Sequence, residues 1–226
     1  MVTAEVICRV LKIKYKDQMG TGFTIERNNI QYIITAKHIL KTPTGYEKNG
    51  IIEIMSNKVF CPYNADIFYH SNDDIDVAII RVNSGTILTA VYNNYYKTEG
   101  LALSQEVYFL GYPYGLEMNF SAKPMGDLPV PLVKKACLSA FYEENNIQCL
   151  LLDGYNNPGF SGGPVCAKIG TDSTFSICGI VSGYLNNRIP VLNDNGIGTQ
   201  HYINENAGIV KAYDILYAKE IIDAIK

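Results

Sequence analysis

A serine held between glycines stands at the centre of Asn157-Pro158-Gly159-Phe160-Ser161-Gly162-Gly163-Pro164. Flanking glycines allow backbone conformations that a Cβ would forbid, so the hydroxyl can be presented on a tight turn. The bare backbone also lets a substrate carbonyl approach main-chain N–H groups, which would stabilise the oxyanion of a tetrahedral intermediate. A serine hydroxyl is a weak nucleophile until a base takes its proton. Three histidines are available: His38, His70 and His201. His38 follows the apolar run Ile33-Ile34-Thr35-Ala36-Lys37 and is expected at a strand end, where an imidazole can serve as general base near neutral pH. A carboxylate must then fix its tautomer. Asp76 directly precedes Val77-Ala78-Ile79-Ile80, whereas its competitors Asp73 and Asp74 read as solvated turn residues. His70, in a polar stretch, reads as a surface residue.

These side chains need rigid carriers. Strand-like segments occur at Val2–Lys14, 20–27, 31–40, 51–55, 76–82, 106–113, 133–142, 147–154, 162–170, 175–184 and 207–213, with Gly, Asn and Pro between them. Short strands at such intervals indicate an all-β sandwich or barrel. From Tyr213 onward, Ile215, Ala218, Ile222 and Ile225 recur at helical spacing, with Asp214 as a candidate N-cap. Two polar stretches, 113–131 and 185–206, read as long functional loops. Residues 83–104 carry few strand signals and are expected to hold a crossover.

Composition narrows the function classes. The chain of 226 residues has 19 Lys+Arg against 22 Asp+Glu, a net charge of −3, and is 47% hydrophobic. That is a globular composition, and a chain of this size buries roughly 70% of its unfolded surface without needing metal or disulfide staples. The mildly acidic balance argues against a nucleic-acid partner. No apolar run approaches the ~18–20 residues of a membrane span, so no membrane partner is expected. Charges at Glu5, Arg9, Lys12, Lys14, Lys16 and Asp17 break any signal-peptide core, which predicts a cytoplasmic protein. Six cysteines without CxxC spacing read as free thiols, and neither a metal nor a cofactor is implied.

The blocks Thr35-Ala36-Lys37-His38-Ile39-Leu40, Asp74-Ile75-Asp76-Val77-Ala78-Ile79-Ile80 and Asn157 to Val165, in that order, together resemble the trypsin-like (chymotrypsin-fold) serine proteases. Gly20-Thr21-Gly22-Phe23, Leu110 to Gly115 and Leu150 to Val165 resemble the bacterial HtrA/Deg-type protease domains more than digestive trypsins. The likeness covers about residues 5–225, and its three blocks are separated by 38 and 85 positions. It implies two six-stranded antiparallel β-barrels with a C-terminal α-helix. The whole chain, 1–226, would be a single protease domain: first barrel 1–92, crossover 93–103, second barrel plus helix 104–226. It also implies roles: Ser161 as nucleophile, His38 as general base and acid, Asp76 as orienting carboxylate, and the N–H groups of Gly159 and Ser161 as oxyanion hole. The segment Gly179 to Tyr184 resembles the strand that pairs with substrate backbone, with Ser182 holding the triad aspartate. Tyr155, Gly183, Tyr184 and Gly208 are substrate-binding candidates by position, and His201 lies near the expected specificity pocket.

Departures from the family pattern carry information. Phe160 occupies the place of the Asp or Asn that precedes the serine, so the oxyanion loop must be set by packing, a substrate or a partner. Tyr155 replaces the acidic residue of trypsin-like specificity, and Lys37 replaces a small residue before the histidine. No PDZ-like segment follows. The expected activity is peptide-bond hydrolysis of protein or peptide substrates through an acyl-enzyme, with restricted specificity or an activating protein partner. The alternative is a catalytically idle, protease-like interaction module.

Overall fold

Short apolar runs punctuated by asparagine turns close into two six-stranded antiparallel barrels in the computed structural model of the chain, which describes residues 2–83, 87, 96–118 and 129–225. A helical turn, α1 (Ala4–Ile7), leads into β1 (Val10–Tyr15), β2 (Gln18–Arg27) and β3 (Ile30–Thr35). A 3-10 turn at Lys37–Leu40 and a small hairpin, β4 (Lys41–Thr42) and β5 (Gly45–Tyr46), come next. The first barrel is completed by β6 (Asn49–Ser56), β7 (Val59–Tyr69) and β8 (Ala78–Val82), in the order β1-β2-β3-β8-β7-β6. The second contains β9 (Glu106–Gly111), β10 (Leu132–Glu144), β11 (Ile147–Asp153), β12 (Pro164–Ala167), β13 (Ser176–Leu192) and β14 (Gly198–Asp214). Its order is β10-β11-β14-β13-β12-β9, and α2 (Leu216–Ala224) follows. This is the chymotrypsin-like all-β architecture expected from the sequence.

The asparagine pairs make the tight turns. Asn28 and Asn29 have φ of 52° and 62°, and Asn145 and Asn146 have 53° and 61°. Two successive positive φ angles match the twist of a two-residue hairpin, and asparagine tolerates them. Leu11, Ile13, Ile33, Ile52, Ile54 and Ile80 fill the first barrel, while Phe109, Leu138, Leu150, Leu152 and Val165 fill the second. A further core sits between them. It joins Phe23, Ile34, Val77 and Ile79 of the first barrel to Ile177, Ile180 and Tyr213 of the second, and to Ala218 and Ile222 of α2. That shared core sets the rims of the two barrels against each other, where the site lies.

Several local expectations are corrected. Residues 4–7 form a helical turn rather than part of a strand, because Val2 and Val6 pack with Leu110, Tyr112 and Cys166 of the second barrel. β7 was not anticipated. Its Pro62 lies where β7 pairs only with β6, so the missing N–H costs no ladder bond, and β8 joins only from Ala65 onward. Most of the stretch 185–206, read as a loop, is a long β13–β14 hairpin that projects beyond the barrel. Ile215, not Asp214, occupies the N-cap position of α2, although the Asp214 carboxylate accepts the Leu216 N–H at 2.8 Å. Of the expected crossover, residues 93–95 lie outside the described residues, as do 119–128 of the polar stretch 113–131. Among the described residues, no helix is long and apolar enough to cross a membrane.

Candidate active site

β3 ends at Thr35, and His38 follows on the 3-10 turn rather than at the strand end itself. Its neighbour Lys37 is buried, and its ammonium reaches Asp73 at 3.0 Å and lies over the Tyr46 ring, which accommodates this departure from a small residue. Asp76 precedes β8 and grips His38 twice. Its Oδ1 accepts the His38 N–H at 2.8 Å, and its Oδ2 lies 2.7 Å from Nδ1. Ser182 Oγ donates to the same Oδ2 at 2.5 Å. An ionised carboxylate on Nδ1 selects the tautomer with its proton there and leaves Nε2 as the acceptor. The carboxylate is 19% exposed and the imidazole 46%, so the carboxylate is shielded while the imidazole is open to solvent. Asp73 and Asp74 do not take this place: Asp73 pairs with Lys37, and the Asp74 carbonyl accepts the Tyr213 hydroxyl.

Ser161 enters from the turn between β11 and β12. Gly159 has φ of +107° and Gly162 of +82°, and an added Cβ would lie 2.3 Å from the Tyr112 carbonyl and 2.1 Å from the Thr21 carbonyl respectively. Only glycine fits either place. Gly162 N–H donates to Val181 O at 2.7 Å, and Val181 N–H donates to Gly163 O at 2.9 Å, which locks the turn to β13. The Ser161 hydroxyl donates to the Ser182 carbonyl at 2.9 Å, and no hydrogen bond among the described residues joins it to His38.

Phe160 resolves the question raised by its position. It is fully buried in the second barrel's core, with its ring 4.9 Å from that of Phe109, and the Lys134 ammonium lies 5.8 Å above it. The turn is therefore anchored by packing rather than by an acidic side chain. The Pro158 carbonyl accepts the Tyr114 N–H at 2.8 Å, which turns the Gly159 N–H the opposite way. Neither the Gly159 nor the Ser161 N–H has an acceptor among the described residues.

Thr21 was missed as a functional residue, although the pattern Gly20-Thr21-Gly22 is plain in the sequence. Its buried hydroxyl donates to Gly159 O at 2.7 Å and accepts the Tyr112 N–H at 3.1 Å, and its own N–H donates to Ser161 O at 3.0 Å. One residue of the first barrel thus holds two carbonyls of the turn that carries Ser161. The only advance signal was a hydroxyl set between glycines.

The remaining candidates are less concentrated. Tyr155 is 54% exposed; with Tyr114, Asn156, Tyr184, Ile203 and Glu205 it lines a depression of about 280 Å³. Asn156 Oδ1 is buried there without a hydrogen-bond partner. Gly183 faces open space, and Gly208 takes a positive φ of 75°. His201 is exposed on β14. His70 is less exposed than a surface residue would be: its Nε2 lies 2.9 Å from Glu220 of α2, with Tyr217 edge-on to the ring. No group of three or more potential metal ligands occurs among the described residues.

Comparison with known proteins gives one consistent answer. The sequence pattern of the trypsin-like peptidase domain matches residues 20–171. Pro-apoptotic serine protease NMA111 of Debaryomyces hansenii is 24% identical over 139 residues, 62% of this chain but only 13% of that protein. The Rv3671c protease of M. tuberculosis, in its active form, superposes with a TM-score of 0.61 at 16% identity, covering 98% of this chain and 82% of the other. The HtrA-type protease AlgW, solved with a tripeptide, gives 0.60 at 18% identity, covering 98% and 61%. At these identities the structural likenesses establish the fold.

Proposed function

From the premise that this chain belongs to the trypsin-like peptidase family, we propose that it is a serine endopeptidase acting through Ser161, His38 and Asp76. The observation that carries this reading is the double grip of Asp76 on His38, which fixes the imidazole through Nδ1 and leaves Nε2 without a hydrogen bond among the described residues. In the first step Nε2 takes the Ser161 proton as Oγ attacks the scissile carbonyl. The oxyanion forms at the N–H groups of Gly159 and Ser161, and the imidazolium then protonates the leaving amine. Water repeats the sequence on the acyl-enzyme.

The Ser161 hydroxyl first has to leave the Ser182 carbonyl. An extended substrate supplies an N–H to that carbonyl and frees the hydroxyl to rotate toward Nε2, so binding and activation are coupled. The packing of Phe160 supports an oxyanion turn held by the chain itself. Restricted specificity then has to come from the substrate cleft; an activating partner is the other route. The test is digestion of an unfolded protein, with cuts made by the wild type and none by Ser161→Ala. The same bond to Ser182 favours a second reading, an idle protease-like interaction module. Intact substrate with both proteins would select it.

A further inference from the structure

Strand β13 continues far past the barrel, and its outer edge is open. β12 pairs with β13 only through Ile180; from Ser182 to Leu192 the only strand neighbour among the described residues is β14. Two independent anchors tell which backbone groups point to that open edge. At the near end, the Ser182 carbonyl faces the nucleophile, since it accepts the Ser161 hydroxyl. At the far end Pro190, opposite Tyr202, has no N–H and fits a strand only with its nitrogen side turned away from the partner. Residues two apart share an edge, so Ser182, Tyr184, Asn186, Arg188 and Pro190 form one set. One register shift makes Ser182 itself the extra residue of β13, and its carbonyl direction is fixed by the Ser161 hydroxyl. The next sets Leu185 opposite residues 207–209, so its surplus lies on β14 and the alternation along β13 back from Pro190 reaches the same set.

We propose that this edge is an extended substrate track, on which an unfolded polypeptide adds as an antiparallel strand as far as Arg188. The proposal rests on the peptidase reading above. Counting upstream from the scissile bond, the first residue pairs with Ser182, the third with Tyr184, the fifth with Asn186 and the seventh with Arg188. Pro190 ends the track because it offers a carbonyl and no N–H. The occupant is the substrate itself, because the track continues directly from the residue beside the nucleophile. Main-chain pairing selects an extended, unfolded chain rather than a particular side chain. Leu185, Val191, Tyr202 and Ile203 are exposed on the hairpin and add apolar area along the route. Arg188 stacks on Tyr202 with its guanidinium 4.2 Å from the ring centroid, which stiffens the far end.

Cut sites mapped by mass spectrometry in a proteome-derived peptide library test this directly. Cuts with fewer than seven upstream residues should be depleted. Proline should be depleted at the fifth and seventh upstream positions, about three- to tenfold against the fourth and sixth, since each lost N–H removes one hydrogen bond. Replacing residues 187–205 by an Asn-Gly turn, which keeps Asn186, should abolish the proline effect at the seventh position and shorten the upstream requirement to five residues, with labelling of Ser161 by a small fluorophosphonate as the control for an intact nucleophile. Cuts close to peptide N-termini, or proline equally frequent at odd and even positions, overturn the track while leaving the peptidase reading in place. Labelling without any cuts also overturns the track, because an open edge would accept some unfolded chain. Loss of labelling in the wild type overturns the peptidase reading itself.

Discussion

The hydroxyl of Thr21, on the first barrel, donates to the Gly159 carbonyl on the second at 2.7 Å across 138 positions of sequence. Fixing that carbonyl limits how far the peptides around Gly159 can turn. It therefore holds the N–H groups that would receive the oxyanion. Thr21→Val removes the donor without changing the side chain's shape. It is expected to lower kcat about tenfold with KM little changed, because the loss falls on transition-state geometry. Thr21→Ser keeps the hydroxyl and is expected to restore most of the rate. A Val variant with wild-type kcat would remove Thr21 from the positioning of this turn.

Phe160 links stability to the same turn. Its ring fills the second barrel's core against Phe109, so Phe160→Ala should cost about 3–5 kcal/mol, as expected for removal of a buried aromatic ring. Phe160→Asp, which recreates the acid of digestive relatives, should do worse, since the carboxylate would be buried in an apolar core. Urea unfolding of the three proteins checks the order. An Asp variant as stable as the wild type would contradict the packing account.

Asp76→Asn should keep the fold and lower kcat by about four orders of magnitude, because an amide facing Nδ1 favours the wrong tautomer. Steady-state kinetics on a peptide found by cleavage profiling measures it, with the circular dichroism spectrum as control for folding. A loss below tenfold would leave Asp76 as a structural residue only.

How much was legible beforehand depended on the range of each cause. His38, Asp76 and Ser161 stood out because each adjoins an apolar strand or a glycine turn, and those are local features. The Asn28-Asn29 turn was readable for the same reason. β7 was hidden by Pro62, Asn64 and Asp66: Pro62 and Asn64 are tolerated where β6 is the one strand neighbour, and Asp66 is paired with Arg81 of β8 at 3.0 Å. The hairpin at 185–206 was hidden by Asn and Gly, which read as loop although pairing of β13 with β14 overrides their weak strand preference. Thr21 could not be found from its surroundings, because its partner is a main-chain atom in the other barrel. The burial of Phe160 depended likewise on Phe109, a distant residue that no local pattern connects to it.

Asp214 gives the pH dependence its sign. Burial pushes its carboxyl above the ordinary carboxylate range, although Leu216 N–H and the Thr98 hydroxyl donate to it. The folded protein therefore holds this proton more tightly than the unfolded chain. Its contribution is most favourable below the ordinary carboxylate pKa and is lost as pH rises through the raised folded value. Asp214→Asn should stabilise the protein at pH 7, and the gain should shrink toward pH 4. Urea midpoints at the two pH values test this, and a gain that grows on acidification would reverse the assignment.

The central claim is that Ser161 is a nucleophile activated by His38. Intact-mass measurement of labelling by a fluorophosphonate tests it most directly. The account predicts one adduct on the wild type, mapped to Ser161, none on Ser161→Ala and a rate at least a hundredfold lower on His38→Ala. Folded wild-type protein that takes no adduct, or takes one at an unchanged rate without His38, would contradict it.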